Sequence, residues 1–107
     1  MIRPAEFSAV VRSGVRARRG VLVVHQHALR DTPDDPVRIG LIVGKTVGGS
    51  VVRHRVSRRL RAQLAARLER FPNGTGVVVR ALPEAADASS GELGHDLDRA
   101  LERLGHR

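Results

Sequence analysis

The sequence contains no cysteine, no tryptophan and no tyrosine, and its only aromatic side chains are Phe7 and Phe71. Without cysteine there is no disulfide framework, no thiolate metal site and no thiol nucleophile. No apolar run approaches the ~20 residues needed to cross a bilayer. The opening Met-Ile-Arg-Pro-Ala-Glu also lacks the apolar core of a signal peptide. The expectation is a soluble, cytoplasmic protein in which residues 1–107 form a single domain. The scarcity of rings narrows function as well. Proteins that grip single strands usually stack bases on several aromatics. Here any nucleic-acid affinity has to come mostly from phosphate contact and shape.

Lysine is nearly absent too, with Lys45 the only one, yet the chain carries 19 Lys plus Arg against 11 Asp plus Glu, a net charge of +8. The distribution is uneven. Residues 1–80 hold sixteen basic and five acidic side chains, whereas residues 81–107 hold three and six. A basic body with an acidic end points to a surface for a polyanion, most simply nucleic acid.

Periodicity supplies the elements. Residues 4–13 read as a short helix: Pro4 suits the first turn, Glu6 suits the positive end of the dipole, and Phe7, Val10 and Val11 share a face before Gly14 ends it. Residues 20–27 form a β-rich run with Val21, Val23, His25 and His27 on one face, and residues 14–19 are a candidate short strand pairing with it. Residues 31–36, with two prolines and three acids, are a loop. Residues 37–44 alternate as the next strand, expected to form an antiparallel hairpin with residues 20–27. Residues 51–71 read as one long helix with Val52, Val56, Leu60, Leu64 and Leu68 as its apolar stripe, stopped by Pro72-Asn73-Gly74. Residues 76–82 are a strand and residues 84–87 a linker. A last helix is capped by Ser89 or Ser90 and buries Leu93, Leu97, Ala100, Leu101 and Leu104. The order α-β-β-β-α-β-α predicts an α+β sandwich with a mainly antiparallel sheet.

The segment from residue 44 to 61, Gly-Lys-Thr-Val-Gly-Gly-Ser-Val-Val-Arg-His-Arg-Val-Ser-Arg-Arg-Leu-Arg, stands out chemically. Five arginines fall between Arg53 and Arg61 with no acid among them, and the first acid of the helix is Glu69. A merely solvated face would interleave glutamate to offset that repulsion. A helix start also offers unpaired N–H groups and a positive dipole to phosphate. Arginine adds bidentate geometry that lysine lacks.

In these residues the chain resembles the bacterial ribonuclease P protein family. That family carries Gly-x-Ala-Val-x-Arg-Asn-x-x-Lys-Arg-x-x-Arg at a helix start. The chain matches with Gly48, Ser50 in place of alanine, Val51, Arg53, His54 in place of asparagine, Ser57 in place of lysine, then Arg58 and Arg61, with Lys45 at the preceding lysine position. The helix containing Phe7 and its following Gly14 is similar as well. The resemblance implies a ribosomal-protein-like fold with a left-handed βαβ crossover, against the usual right-handed rule. It implies a protein subunit of an endoribonuclease whose active site lies in a partner RNA. Lys45, Arg53, His54, Arg55, Arg58, Arg59 and Arg61 would bind the ribonuclease P RNA. Phe7, Arg12, Arg16 and His25 would line a cleft for the 5′ leader of precursor tRNA. No cofactor or metal is expected on the protein itself, magnesium being held by the RNA subunit.

The residues offer no catalytic constellation of their own: no nucleophile elbow, no paired-carboxylate motif and no complete phosphate loop. Gly44-Lys45-Thr46 resembles the end of such a loop, but the upstream glycine position is Ile39. Two same-face histidines, His25 and His27, lack a third ligand nearby in sequence. The alternative function is a generic structured-RNA-binding or ribosome-associated protein without a role in cleavage. A DNA-binding regulator would need a short partner helix where residues 37–44 read as strand. A protein–protein adaptor would show weak salt dependence.

Overall fold

A computed structural model of the chain describes residues 2–29 and 33–105. Helix α1 (Pro4–Ser13) starts at Pro4, where a missing N–H costs nothing, and Glu6 accepts a hydrogen bond from the Arg3 amide at 3.0 Å. Strand β1 (Val15–Arg19) turns through Gly20, at φ +56°, into β2 (Leu22–Ala28). Strand β3 (Arg38–Ile42) precedes helix α2 (Ser50–Ala65) and a 3₁₀ turn, Leu68–Arg70. Strand β4 (Thr75–Ala81), a 3₁₀ turn (Pro83–Asp87) and helix α3 (Ser90–Arg103) complete the chain. The result is the expected α+β order, with three helices on a four-stranded mixed sheet.

The sheet runs β1-β2-β4-β3. β1 pairs antiparallel with β2, β2 antiparallel with β4, and β3 parallel with β4. The hairpin expected between residues 20–27 and 37–44 is therefore not formed, because β4 lies between them. The reason is burial. Val77, Val78 and Val79 are fully buried, so this strand needs cover on both faces and takes an interior slot. β3 is half-exposed throughout and stands at the edge. The connection bearing Pro33 and Pro36 carries the chain across; Asp31 and Thr32 of the expected loop lie outside the described residues. The parallel β3–β4 pair is joined through α2, so the crossover unit is present.

Two cores hold the sheet. On one face Leu22, Val24, Val77 and Val79 meet Val56, Leu60 and Leu64 of α2 and Leu93, Leu97 and Leu101 of α3. Each such leucine or valine contributes about 1.5–3 kcal/mol by burial. On the other face Val10 of α1 packs with Ile2, Leu29 and Val78.

The long helix is shorter than its stripe suggested. A four-residue spacing drifts ~40° per step on a 3.6-residue helix, so a continuing helix would carry Leu68 far around from Val52. α2 ends at Ala65 instead, and Leu68 is exposed. The last helix begins as expected: Ser89 Oγ accepts from the Glu92 amide and Glu92 accepts from the Ser89 amide, both at 3.1 Å. Residues 84–87, read as linker, belong to the second 3₁₀ turn.

Candidate nucleic-acid interface

The turn leading into α2 is anchored at one point. Val47 is buried in the main core, and its amide donates to the Gly44 carbonyl at 3.1 Å. Gly48 passes so close to Val52 that a Cβ would sit 2.9 Å from its Cβ. Gly49 caps the helix without a side-chain acceptor, and the first turn holds no acid. The positive end of α2 is thus left uncompensated.

From this start the arginine cluster divides. His54, Arg58 and Arg61 are exposed, as is Lys45 in the preceding turn, while Arg53, Arg55 and Arg59 are half-buried. Arg55 donates to the Ala86 carbonyl at 3.1 Å and Arg59 to the Ala88 carbonyl at 2.8 Å. These two arginines clasp the segment that joins β4 to α3. Among the described residues no carboxylate pairs with any of the five; the ion pairs formed are Arg38 with Glu6 and Asp35, and Arg67 and Arg70 with Asp98. Arg38, one of the basic body's cations, is neutralised in this way. Spacing alone does not reveal that, since Glu6 is 32 residues away.

The leader-cleft candidates gather around the α1 face of the sheet. Residues Arg16, His25, Val78 and Gly40 stand opposite one another across all four strands. Phe7 lies over the Gly40 end of that row: a Cβ on Gly40 would come within 2.8 Å of the ring and 2.7 Å of Ile2. The ring is half-buried and borders a cavity of about 460 Å³ with Ile2, Leu64, Leu68 and Arg61. Arg61, grouped by sequence with the rest of the cluster, therefore lines the same cavity as Phe7. Arg12 is exposed on the last turn of α1, and Arg16 is exposed on β1.

His25 is 3% exposed, and neither ring nitrogen has a hydrogen-bond partner among the described residues. Burial, reinforced by the Arg80 and Arg16 guanidinium groups, holds its pKa below the ordinary histidine value. The ring is neutral near pH 7, with one donor and one acceptor unspent. Arg18 and Arg80 share this face in the next row. Period-two alternation along Val77-Val78-Val79-Arg80-Ala81 was the signal that could have found Arg80.

Comparison with known proteins identifies the family. The family model for ribonuclease P matches residues 1–105. The chain belongs to the ribonuclease P protein family. The ribonuclease P protein component of Mycobacterium sp. (strain KMS) is 48% identical over 103 residues, covering 96% of this chain and 86% of that protein. The component of Streptomyces bikiniensis is 47% identical over 108 residues, covering 95% and 88%. Among solved structures, the RNase P protein of Staphylococcus aureus superposes with a TM-score of 0.83 at 20% identity, covering 97% of this chain and 93% of that one. The RNase P protein of Thermotoga maritima gives 0.80 at 19%, covering 95% and 94%. These two likenesses concern the fold. The family membership rests on the model match and the closer relatives.

Proposed function

We propose that this chain is the protein subunit of a ribonuclease P, an endoribonuclease that removes the 5′ leader of precursor tRNA, with hydrolysis carried out by the RNA subunit in the cytoplasm. The observation that carries the proposal is the outward part of the arginine cluster. Lys45 is exposed in the turn before α2, and His54, Arg58 and Arg61 are exposed along that helix, in a chain matched along nearly its whole length by the ribonuclease P family. Each phosphate these groups neutralise releases counterions, so assembly is steeply salt-dependent.

Arg53, Arg55 and Arg59 add to the local positive potential from half-buried positions. Phe7 offers a ring for stacking a single-stranded base, with Arg61 across the cavity to face its edge or its phosphate. Arg12, Arg16 and the neutral His25 supply the polar side of the leader cleft. Among the described residues no three His, Asp or Glu side chains converge into a metal-binding group. Magnesium held by the RNA would activate the attacking water, and the protein's part is to neutralise and position.

Reconstitution tests this directly. Mixed with a bacterial ribonuclease P RNA and precursor tRNA at low magnesium, the chain is expected to stimulate cleavage at the mature 5′ end. Binding of structured RNA with no stimulation would leave only a general RNA-binding protein.

A further inference from the structure

The sheet carries a second set of cations that the leader cleft does not use. Strands β1 to β4 contain five arginines and no Asp or Glu. Arg38 is neutralised by Glu6 and Asp35. Helix α1 lies over one end of the sheet, where Val10 packs on Gly76 and Phe7 and Ile2 pack on Gly40. Toward the other end, Arg18, Val23, Arg80 and Ile42 stand opposite one another across the four strands. Ala17 and Val79 point into the α2–α3 core, so Arg18 and Arg80 point to the opposite face, the one shared by His25.

Both arginines are exposed. Among the described residues neither guanidinium has a carboxylate or a hydrogen-bond partner. They flank Val23 from two sides, separated by two strand spacings, about 10 Å. Arg16 lies two residues from Arg18 on the same face of β1, about 7 Å along the strand. Like charges on one sheet face repel and do not help the domain fold. The row ends at Ile42 on the edge strand, so the cations of this end of the sheet are Arg16 and Arg18 on β1 and Arg80 on β4.

We infer that Arg18 and Arg80 extend the leader path across the open end of the sheet, each taking a backbone phosphate of single-stranded RNA beyond the nucleotides at Phe7 and His25. The inference rests on the leader reading above and adds a distinct surface to it. No aromatic side chain lies in this row, so the grip is through guanidinium–phosphate hydrogen bonds and is indifferent to base sequence. The base-accepting cavity beside Phe7 and this phosphate strip then divide the work: one selects, the other holds.

The test uses the holoenzyme assembled with a bacterial ribonuclease P RNA and precursor tRNAs whose leaders are shortened one nucleotide at a time. Arg18→Gln, Arg80→Gln and the double variant are compared with the unaltered protein across a salt series, after melting curves establish that they fold. With the longest leader, the slope of log affinity against log salt is expected to fall by about 0.7 for each arginine removed. That difference disappears as the leader is cut back, and affinity for the RNA subunit alone is unchanged. Equal losses with long and short leaders would overturn the inference. So would no loss with the longest leader where the unaltered holoenzyme still distinguishes long from short, and in that case the leader reading survives. An unaltered holoenzyme indifferent to leader length would remove both.

Discussion

Arg59 donates to the carbonyl of Ala88 at 2.8 Å, one residue along α2 from an Arg58 that projects into solvent. The two neighbours are therefore expected to fail in different ways. Arg59→Gln removes a charge-assisted hydrogen bond worth about 1.5 kcal/mol, which lowers the melting temperature by roughly 6 °C in a domain of this size. Arg58→Gln leaves the melt almost unmoved but weakens binding to ribonuclease P RNA, reducing the salt slope by about 0.9. Charge reversal at Arg58 and Arg61 should abolish most binding with the circular dichroism spectrum intact. An Arg59 variant that melts normally and loses the same salt slope as the Arg58 variant would show that both contact RNA.

Gly40 allows Phe7 and Ile2 to lie against the sheet. Its Cβ position is 2.7 Å from Ile2 and 2.8 Å from the Phe7 ring, so Gly40→Ala has to push the ring away. The overpacking costs about 1–3 kcal/mol. The more informative effect is on substrate: the holoenzyme should lose part of its preference for precursor over mature tRNA while still binding its RNA subunit normally. Comparing the two affinities in one preparation checks this, and an unchanged preference would mean that Phe7 is only a core residue.

Much of this was legible because it is local. Pro4, Glu6 and Gly14 mark out α1 within a few residues of one another, and the Ser89-Ser90 pair marks the start of α3. Pairing was not legible, since alternation reports which face a residue takes but not which strand lies beside it. That is how β4 came to separate β2 from β3. The division of the arginines was hidden for a related reason. The carbonyls that hold Arg55 and Arg59 lie 31 and 29 residues downstream, in a segment with no periodicity of its own. The burial of His25 likewise depends on its position in a covered sheet, which alternation on β2 does not reveal.

Asp98 ties α3 to the segment that follows α2, accepting from Arg67 at 2.7 and 3.1 Å and from Arg70 at 2.6 Å. The hydrogen bonds from Arg67, aided by those from Arg70 and by both charges, hold its pKa below the usual carboxylate value against a smaller opposing effect of burial. A depressed folded-state pKa means that the unfolded chain takes up its proton first as pH falls. The contribution is therefore complete above the ordinary aspartate range and is lost on acidification through the folded value. Its size is at most about 1 kcal/mol, because the Asp98 side chain is 39% exposed and solvent screens the pair. Melting curves of the unaltered chain and Asp98→Asn should differ at pH 7 and converge toward pH 3. A difference that stayed constant with pH would mean that Asp98 acts by packing instead of charge.

His25 gives the opposite kind of test, because here the neutral form is the one the fold favours. Burial, then Arg80 and Arg16, depress its pKa, so protonation has to wait until the pH is below the ordinary histidine value of about 6.5. The unfolded chain binds that proton earlier, and stability should fall as pH drops from that value through the folded one. His25→Gln keeps hydrogen-bonding capacity without a titrating ring, so it should lose this part of the acid sensitivity while the Asp98-dependent loss at lower pH remains. Proton NMR of the His25 ring would place its midpoint below the ordinary histidine value of about 6.5. The same neutrality governs binding: between pH 7 and 8 the contribution of His25 to the leader cleft should be flat, since the ring neither gains nor loses charge there. A step in leader-dependent affinity across that interval, removed by His25→Gln, would mean that RNA draws a proton onto the ring and that the cleft binds imidazolium.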